Sequence, residues 1–392
     1  MSVRGACLLG ALLFATSPAL AQRVELRGYG LSVALGSTEG PYTDAAVQDV
    51  LRGRLMSAGA WGPLAVDLAY EQTLTVTSVA NPLATGALLG VMPGRGDWLP
   101  LQGTLDSTEH AVWRHRLDRA ALTARAGPIE ATVGRQTVSW ATTLFLTPAD
   151  PFAPFDPADP FRDYRMGVDA ARVRAFPSAF TEFDATVRLM DDDGAETVTA
   201  LGRARTTIGR TDLAGWGGVL HDEPAFAAGV TSIVLDAAVR GEVAVRPEDD
   251  RTVVRVAAGA DRSFTVAGHT LYAIVEYQHD GFGARSADSL PLVLMSDPYR
   301  RGELQVLGRD ELMAQATYQV HPLVQVGALV LWNLGDGSVL LTPSAAWEAA
   351  REITVRAGLY AGIGSERTAS GGPASEYGIV PFTAYVSGAM YF

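Results

Sequence analysis

Apolar and polar residues alternate along most of this chain. In 352–363, for example, one side of an extended chain carries Ile353, Val355, Ala357, Leu359, Ala361 and Ile363. Because successive side chains of a strand point to opposite faces, this pattern predicts strands with one apolar face, and no segment shows helical periodicity. Beyond residue 21 there is no apolar run of about 18 residues, which excludes helical membrane spans. Yet 48% of the residues are hydrophobic, as expected where every strand of a membrane-spanning barrel has an apolar face.

The final stretch, 380–392, has the same alternation and ends on an aromatic residue. An edge strand of this kind would promote aggregation in water, whereas it suits the closing strand of a barrel in a lipid bilayer. It resembles the C-terminal assembly signal of outer-membrane β-barrel proteins, whose final residue is usually Phe. We therefore assign Met390, Tyr391 and Phe392 to an assembly signal.

The N-terminus reads as a secretory leader over residues 1–21. Arg4 precedes an apolar stretch, and an Ala-Leu-Ala cleavage site at 19–21 predicts a mature chain that begins at Gln22. Cys7 is the only cysteine, so the mature chain is expected to lack disulfides and thiolate metal sites. We expect no plug or further domain before the first strand, and no cofactor.

The formal charge argues against nucleic acid as a partner. Removing Arg4 with the leader leaves 30 basic against 43 acidic residues, a formal charge of −13. Proteins that bind nucleic acid neutralise phosphates with an excess of basic side chains.

The alternation predicts eighteen strands in a single domain, residues 22–392, with boundaries good to two to four residues. They are 23–35, 46–58, 63–75, 110–126, 129–139, 167–176, 181–190, 196–207, 211–220, 224–231, 235–247, 251–262, 267–280, 310–320, 323–334, 338–348, 352–364 and 379–392. The segments between 211 and 231 are apolar on both faces, which leaves sixteen strands as the alternative. The fold class is all-β, a transmembrane antiparallel barrel. A soluble sandwich of this length would need several domains with linkers, which are not seen.

The connections support this interpretation. The four longest, about 76–109, 140–166, 281–309 and 365–378, follow predicted strands 3, 5, 13 and 17, whereas the connections after even strands are short. Outer-membrane barrels have short periplasmic turns and long extracellular loops. An eighteen-strand barrel is also wide enough to enclose an aqueous pore.

The loop 140–166 is the most distinctive stretch. Pro-Ala-Asp-Pro-Phe occurs at 148–152 and again at 157–161, and prolines recur every third residue, which predicts a stiff polyproline II rod. Its phenylalanines are too apolar for an ordinary surface loop, so we expect it to fold into the pore and narrow it. The constriction residues are then Phe145, Phe152, Phe155, Phe161, Asp150 and Asp159.

Two alternatives for this loop stay open. It could instead form an extracellular docking patch. Its acids, Asp150, Asp156, Asp159 and Asp163, could bind calcium, although Asp beside Pro more often shapes turns.

Residues 134–174 resemble a segment of porin-like outer-membrane proteins. The resemblance is carried by Gly134-Arg135-Gln136, Trp140, the Pro-x-Asp-x-Phe run and 167–170, Gly-Val-Asp-Ala. In those proteins a glycine commonly follows the tryptophan, whereas here Ala141 does. The resemblance implies a channel-type barrel and no particular solute.

If the apolar faces meet lipid, the strand charges line the lumen, where arginines and acids are nearly balanced. The pore-lining residues assigned beside the loop are Arg172, Arg174, Arg188, Arg203, Arg205, Glu182 and Asp184. A ladder of basic residues selective for phosphate, or a ring of acidic residues selective for cations, would have an excess of one sign of charge. The pair Arg172 and Arg174 is the best functional candidate, and the alternative is a salt-bridged wall.

Catalysis is disfavoured. The histidines are His110, His115, His221, His269, His279 and His321, and the sequence contains neither G-x-S-x-G nor H-E-x-x-H. His221-Asp222 and His279-Asp280 fall near the extracellular rim, where an outer-membrane protease could place them.

The sequence therefore predicts a Gram-negative outer-membrane channel for hydrophilic solutes. The first alternative is a barrel that exports a secreted polysaccharide, and the second is a plugged adhesin or scaffold. The expected partners are outer-membrane lipid, the barrel assembly machinery and, for the export alternative, periplasmic or inner-membrane export components.

Overall fold

The structure is a computed structural model that describes residues 23–80, 96–152, 158–161, 163–192, 195–248 and 251–392. The predicted leader lies outside these residues. The first strands are β1 Arg23–Ser37, β2 Ala46–Trp61, β3 Leu64–Thr77, β4 Gln102–Ser107, β5 Ala111–Ala126, β6 Ile129–Gln136, β7 Val168–Ser178, β8 Thr181–Asp192, β9 Ala195–Ile208 and β10 Thr211–Leu220. The remaining elements are β11 Glu223–Val234, β12 Ala237–Pro247, β13 Thr252–Val266, β14 His269–Asp280, α1 Leu290–Leu294, α2 Asp297–Arg300, β15 Asp310–His321, β16 Val324–Asn333, β17 Val339–Ala350, β18 Ile353–Ile363 and β19 Thr383–Tyr391.

The strands form one closed antiparallel sheet. Neighbours in sequence pair with each other, and Tyr29 of β1 lies opposite Arg54 of β2 on one side and Tyr391 of β19 on the other. The short β4 pairs with the first half of β5, whose second half pairs with β6. Over the described residues the barrel thus has eighteen strands, with β4 as an addition.

The prediction of eighteen strands is confirmed, and the sixteen-strand alternative is wrong. The doubtful strands β10 and β11 pair along their length from Thr211 opposite Ser232 to Leu220 opposite Glu223. They are apolar on both faces because Trp216 and Leu220 point inwards and are buried there.

The two ends of the barrel differ, as the loop lengths predict. At one end, the turn end, lie Arg23, the end of β19 and two-residue turns such as 235–236, where positive φ at both positions gives a tight hairpin. At the other, the loop end, lie the long connections, including 137–167, 281–309 and 364–382.

The outer face is apolar around the whole barrel. Each barrel strand exposes a large hydrophobic side chain there: Leu26, Leu51, Leu68, Leu122, Val133, Val173, Val187, Val198, Leu213, Phe226, Val239, Val254, Val275, Val320, Val326, Trp347, Leu359 and Val386. Such a belt is typical of a lipid-facing surface. Among the described residues, no helix is long and apolar enough to cross a membrane.

In part of β1 the apolar residues face inwards, contrary to the rule used for the sequence. Tyr29, Leu31, Val33 and Leu35 are buried inside the barrel, while Gly30 and Ser32 face outwards. The reason is that these side chains belong to one buried hydrophobic cluster with the loop residues Leu146 and Phe161, so this part of the lumen is a hydrophobic core.

Candidate functional site: an inward loop and the gap beside it

The candidate site is built by residues 137–167, called here the inward loop. It leaves the wall at the end of β6 and returns at the start of β7. Arg135 and Asp169 join these strands by a pair of hydrogen bonds at 2.8 and 2.7 Å, and Asp97 lies 3.3 Å from the same guanidinium. Arg135 is almost fully buried, so this pair fixes the base of the loop.

Two glycines of the porin-like segment allow the close packing at this base. Gly134 has φ of +110°, and a Cβ there would lie 2.2 Å from the carbonyl oxygen of Ala120. A Cβ on Gly167 would lie 2.1 Å from the carbonyl oxygen of Asp118. Side chains at either position would push the loop base away from β5.

The repeated pentapeptide forms the same local structure twice. In the first copy the Asp150 side chain accepts a hydrogen bond from the backbone N–H of Phe152 at 3.2 Å, and in the second Asp159 accepts from Phe161 at 2.8 Å. These are Asx turns, in which a short carboxylate replaces a backbone acceptor. The polyproline II rod is therefore wrong for the described parts of the loop, because the carboxylates stabilise turns.

Each copy places its phenylalanine in a different core. Phe152 packs edge-on against Trp140 with ring centroids 4.9 Å apart, and Phe161 packs edge-on against Tyr385 at 4.8 Å. An arginine of the wall donates to each phenylalanine carbonyl: Arg188 to Phe152 at 3.5 Å and Arg52 to Phe161 at 3.1 Å. The repeat thus attaches the loop to two sides of the barrel in the same manner.

Buried carboxylates hold the middle of the loop on the wall across from β6. Glu276 of β14 accepts hydrogen bonds from the backbone N–H groups of Leu144, Phe145 and Leu146 at 2.7 to 2.9 Å. Glu242 of β12 accepts from the amides of Thr142, Thr143 and Ala149. The loop therefore crosses the lumen, and its amides supply hydrogen bonds to these two buried carboxylates.

Tyrosines hold the returning part of the loop. The Tyr360 hydroxyl donates to the carbonyl of Ala158 at 2.9 Å, and the Tyr391 hydroxyl donates to Asp163 at 2.9 Å. The ring of Tyr164 stacks on that of Tyr29, 6.0 Å between centroids. Starting beside β8, the loop thus follows the inner wall past β14 to β1.

The predicted candidate pair, Arg172 and Arg174, lies inside the barrel but in ion pairs. Arg172 binds both oxygens of Asp184 at 2.9 and 3.0 Å through Nε, and Asp184 also accepts from the Trp140 indole at 3.0 Å. Arg174 binds Glu130. The geometry makes Arg172 a support for the loop through Asp184 and Trp140.

The other predicted lumen charges also point inwards. Arg205 pairs with Asp212 at 3.0 Å, and Arg188 is buried beneath the loop. Arg203 and Glu182 form no hydrogen bond or ion pair with any part of the chain that the structure describes. Their role in lining a pore stays a prediction.

The predicted constriction residues that the structure describes lie in the lumen, so the alternative of an extracellular docking patch is wrong for them. Four of these residues are buried, however, and attach the loop to the barrel wall instead of bordering an aperture: Phe152, Phe161, Asp150 and Asp159. Phe145 is half-buried. Sequence reasoning missed Leu144, whose side chain is 42% exposed inside the barrel. Phe155 lies outside the described residues.

Asp150 does not have the surroundings of a calcium ligand. It accepts from the Ser139 hydroxyl at 2.8 Å and from Arg165 at 2.9 Å. No group of three or more His, Cys, Asp or Glu side chains in the described ranges could hold a metal ion.

Between its attachments at β14 and β18 the loop leaves a gap next to the wall. This gap, about 240 Å³, is bounded on the loop side by Leu144, Phe145, Ala158, Asp159 and Pro160. On the wall side are Gln315, Thr317, Gly327, Ala328, Leu329, Thr342, Ser344, Tyr360 and Tyr385. Carbon, hydroxyl and amide groups dominate this lining, unlike the arginine-rich wall formed by β7, β8 and β9.

Two further loops cover the inward loop at the loop end. Gln305 in 281–309 accepts from the amide of Thr147 at 2.6 Å and donates to the carbonyl of Phe145 at 2.5 Å. Glu376 in 364–382 accepts from the amides of Leu307 and Gly308 at 2.7 and 2.8 Å, and burial raises the pKa of Glu376. The loops are thus hydrogen-bonded to one another in layers.

The predicted assembly signal closes the barrel. Phe392 exchanges backbone hydrogen bonds with Gly28, and its ring covers Gly28 on the outer face, where a Cβ would lie 2.4 Å from the ring. Met390 is exposed on the same face, and Tyr391 points inwards. Their role in assembly stays a prediction.

No family model matches this chain, and no curated protein matches it in sequence. Solved structures do match over nearly the full length. Acinetobacter baumannii OccAB1 shares 8% identity at a TM-score of 0.58, covering 95% of this chain and 96% of that chain. A BenF-like porin from Pseudomonas fluorescens Pf-5 shares 12% identity at 0.56, covering 95% and 98%. Wzi, a carbohydrate-binding barrel involved in group 1 capsule assembly in Escherichia coli, shares 8% identity at 0.56, covering 94% and 84%. The predicted resemblance to porin-like proteins is therefore confirmed at the level of the fold: this chain has the eighteen-strand barrel of outer-membrane porins.

Proposed function

We propose that this protein is an outer-membrane channel through which hydrophilic solutes pass beside the inward loop. The observation that carries the proposal is the course of that loop, which crosses the lumen to Glu242 and Glu276 and leaves a polar gap against β15–β18. An eighteen-strand barrel would otherwise enclose a wide aqueous pore, so the loop sets the aperture. The loop end would face the outside of the cell and the turn end the periplasm.

The similar solved barrels support the proposal, because porins are among them. The apolar belt fits an outer-membrane lipid environment, and assembly through the barrel assembly machinery follows from the C-terminal strand. Nothing in this function calls for a catalytic group.

The test is single-channel recording of the purified mature protein in a planar bilayer, together with a variant that replaces 148–161 by a short Gly-Ser linker. We expect discrete openings from the wild-type protein and larger openings from the variant. A membrane that stays silent with both proteins would refute a channel.

A second candidate is a barrel for surface polysaccharide, and the likeness to Wzi favours it. It would act with periplasmic or inner-membrane export components, and the layered loops would close the pore until a polymer arrives. A silent wild-type protein that conducts only after the linker replacement would support this candidate over a constitutive channel.

A further inference from the structure

The gap beside the inward loop has an unusual chemical character for a lumen so rich in charge. The inward-facing side chains that line it on β15 and β17 are Gln315, Thr317, Thr342 and Ser344. The wall formed by β7–β9 instead carries paired arginines and carboxylates, such as Arg172 with Asp184. Beside the loop, the inner wall therefore carries a neutral, hydrogen-bonding patch on β15 and β17, called here the neutral patch.

The neutral patch has polar groups that are available to hydrogen-bond a solute. Gln315, Thr317 and Ser344 make no side-chain hydrogen bond with any residue in the described ranges, and all three are at least partly exposed to the lumen. The Tyr385 hydroxyl lies over Gly358. A Cβ on residue 358 would be 2.5 Å from this hydroxyl oxygen, so the lack of a side chain at Gly358 leaves space for the tyrosine. These groups offer both donors and acceptors to a solute.

The opposite side of the gap is apolar. Leu144 is exposed into it, and Phe145 and Pro160 complete this face. A sugar ring has the matching character, since its C–H faces pack on apolar side chains while its hydroxyls form hydrogen bonds at the ring edge. Protein binding sites combine apolar surface with a few polar groups in this way.

We propose that this gap is a recognition subsite for a neutral polyhydroxylated solute of monosaccharide size. Its volume of about 240 Å³ lies below that of pockets for drug-sized ligands. None of the described residues that line the gap is a cation. The guanidinium of Arg356 lies beside the gap, 3.4 Å from the carbonyl oxygen of Pro160, and is shared with Asp163 at 3.8 Å. An anionic solute would therefore lose its hydration and would have to compete with Asp163 for that arginine, whereas a neutral solute needs no charged partner. The proposal rests on the proposed channel and names the class of its solute.

The test measures binding of glucose to the detergent-solubilised protein by titration calorimetry and block of the single-channel current by glucose. We expect Thr317→Val and Ser344→Ala to weaken binding about 5-fold each, the equivalent of one lost hydrogen bond. Thr123→Val is the matched control, because this hydroxyl pairs with Thr132 between β5 and β6 and does not line the gap. The control should leave glucose binding unchanged.

Glucuronate, which adds one negative charge to the same ring, should bind at least ten times more weakly than glucose. The subsite is refuted if glucuronate binds as tightly as glucose, if Thr317→Val and Ser344→Ala bind as the wild type does, or if Thr123→Val weakens binding equally. Because calorimetry measures binding independently of conductance, failure of the subsite can be distinguished from failure of the proposed channel function. Binding without conductance would remove the channel and keep the subsite, whereas conductance without binding would remove only the subsite.

Discussion

Replacement of Glu276 by glutamine should release the inward loop from the wall. In the wild type one carboxylate oxygen accepts from Leu144 and the other from Phe145 and Leu146, at a position 1% exposed. Glutamine has the same shape but only one accepting oxygen, so at least one backbone N–H must face an NH₂ group. The bonds that remain lose the assistance of the negative charge.

The cost follows from these contacts. One buried donor left without an acceptor costs about 1–3 kcal/mol, and each bond that loses its charge weakens by about 1 kcal/mol. We expect about 3 kcal/mol in total, which lowers the ratio of docked to released loop roughly 100-fold. Amide hydrogen exchange over 142–149 should accelerate by that factor in Glu276→Gln, while exchange in the strands stays as in the wild type.

Glu182→Gln is the matched control, since it removes a lumen carboxylate that bonds to nothing among the described residues. Its exchange over 142–149 should equal that of the wild type. The assignment of Glu276 as the anchor fails if the glutamine variant keeps full protection over 142–149. It also fails if Glu182→Gln loses protection to the same degree.

Three further changes test the supports around the loop. Arg135→Lys breaks a buried bidentate ion pair and should lower the free energy of unfolding by about 3–5 kcal/mol. Arg174→Lys changes a partly exposed ion pair and should lower it by less than about 1 kcal/mol. The unfolding temperatures of the two variants in detergent measure this difference. Burial lowers the pKa of His221 to about 4, so the contribution of the neutral imidazole to folding stability is complete above pH 6.5 and is lost as pH falls towards 4. His221→Asn should remove this acid-induced loss of stability, up to about 3 kcal/mol, from thermal unfolding measured against pH. The pKa of Glu376 is raised, so the pH dependence is the opposite: the protonated carboxyl contributes to stability at low pH, and this contribution is lost as pH rises through the folded-state pKa. Amide protection at Leu307 should therefore fall with rising pH in the wild type and stay constant in Glu376→Gln.

The barrel was predictable because its signals are local. A side-chain period of two identifies each strand without knowledge of its neighbours, and short turns alternating with long loops orient the barrel. The repeat at 148–152 was predictable only in part: its proline spacing suggested a polyproline II rod, whereas Asp150 forms a turn with a residue two positions away, as Asp beside Pro often does. Such features need only the chain within a few residues.

The role of the charges was not predictable, because it depends on which residues meet across the lumen. From the sequence, Arg172 could be a pore residue or part of a salt-bridged wall. Its partner Asp184 lies on the next strand and is also bonded to Trp140 of the loop. The inward orientation of the apolar residues of β1 is likewise explained only by the tertiary structure, in which they share a buried cluster with Phe161 of the loop. An alternating pattern shows that two faces differ but does not show what covers the inner one.

The sequence by itself thus determined an eighteen-strand barrel, its two unlike ends and an apolar, proline-rich loop unsuited to an exposed position. Only the tertiary structure decided where that loop runs and which wall it leaves free. The contacts responsible join residues more than 100 positions apart, such as Leu144 with Glu276 and Ala158 with Tyr360. Periodicity carries information over neighbouring residues, whereas a path across a lumen depends on barrel closure, which brings distant strands face to face.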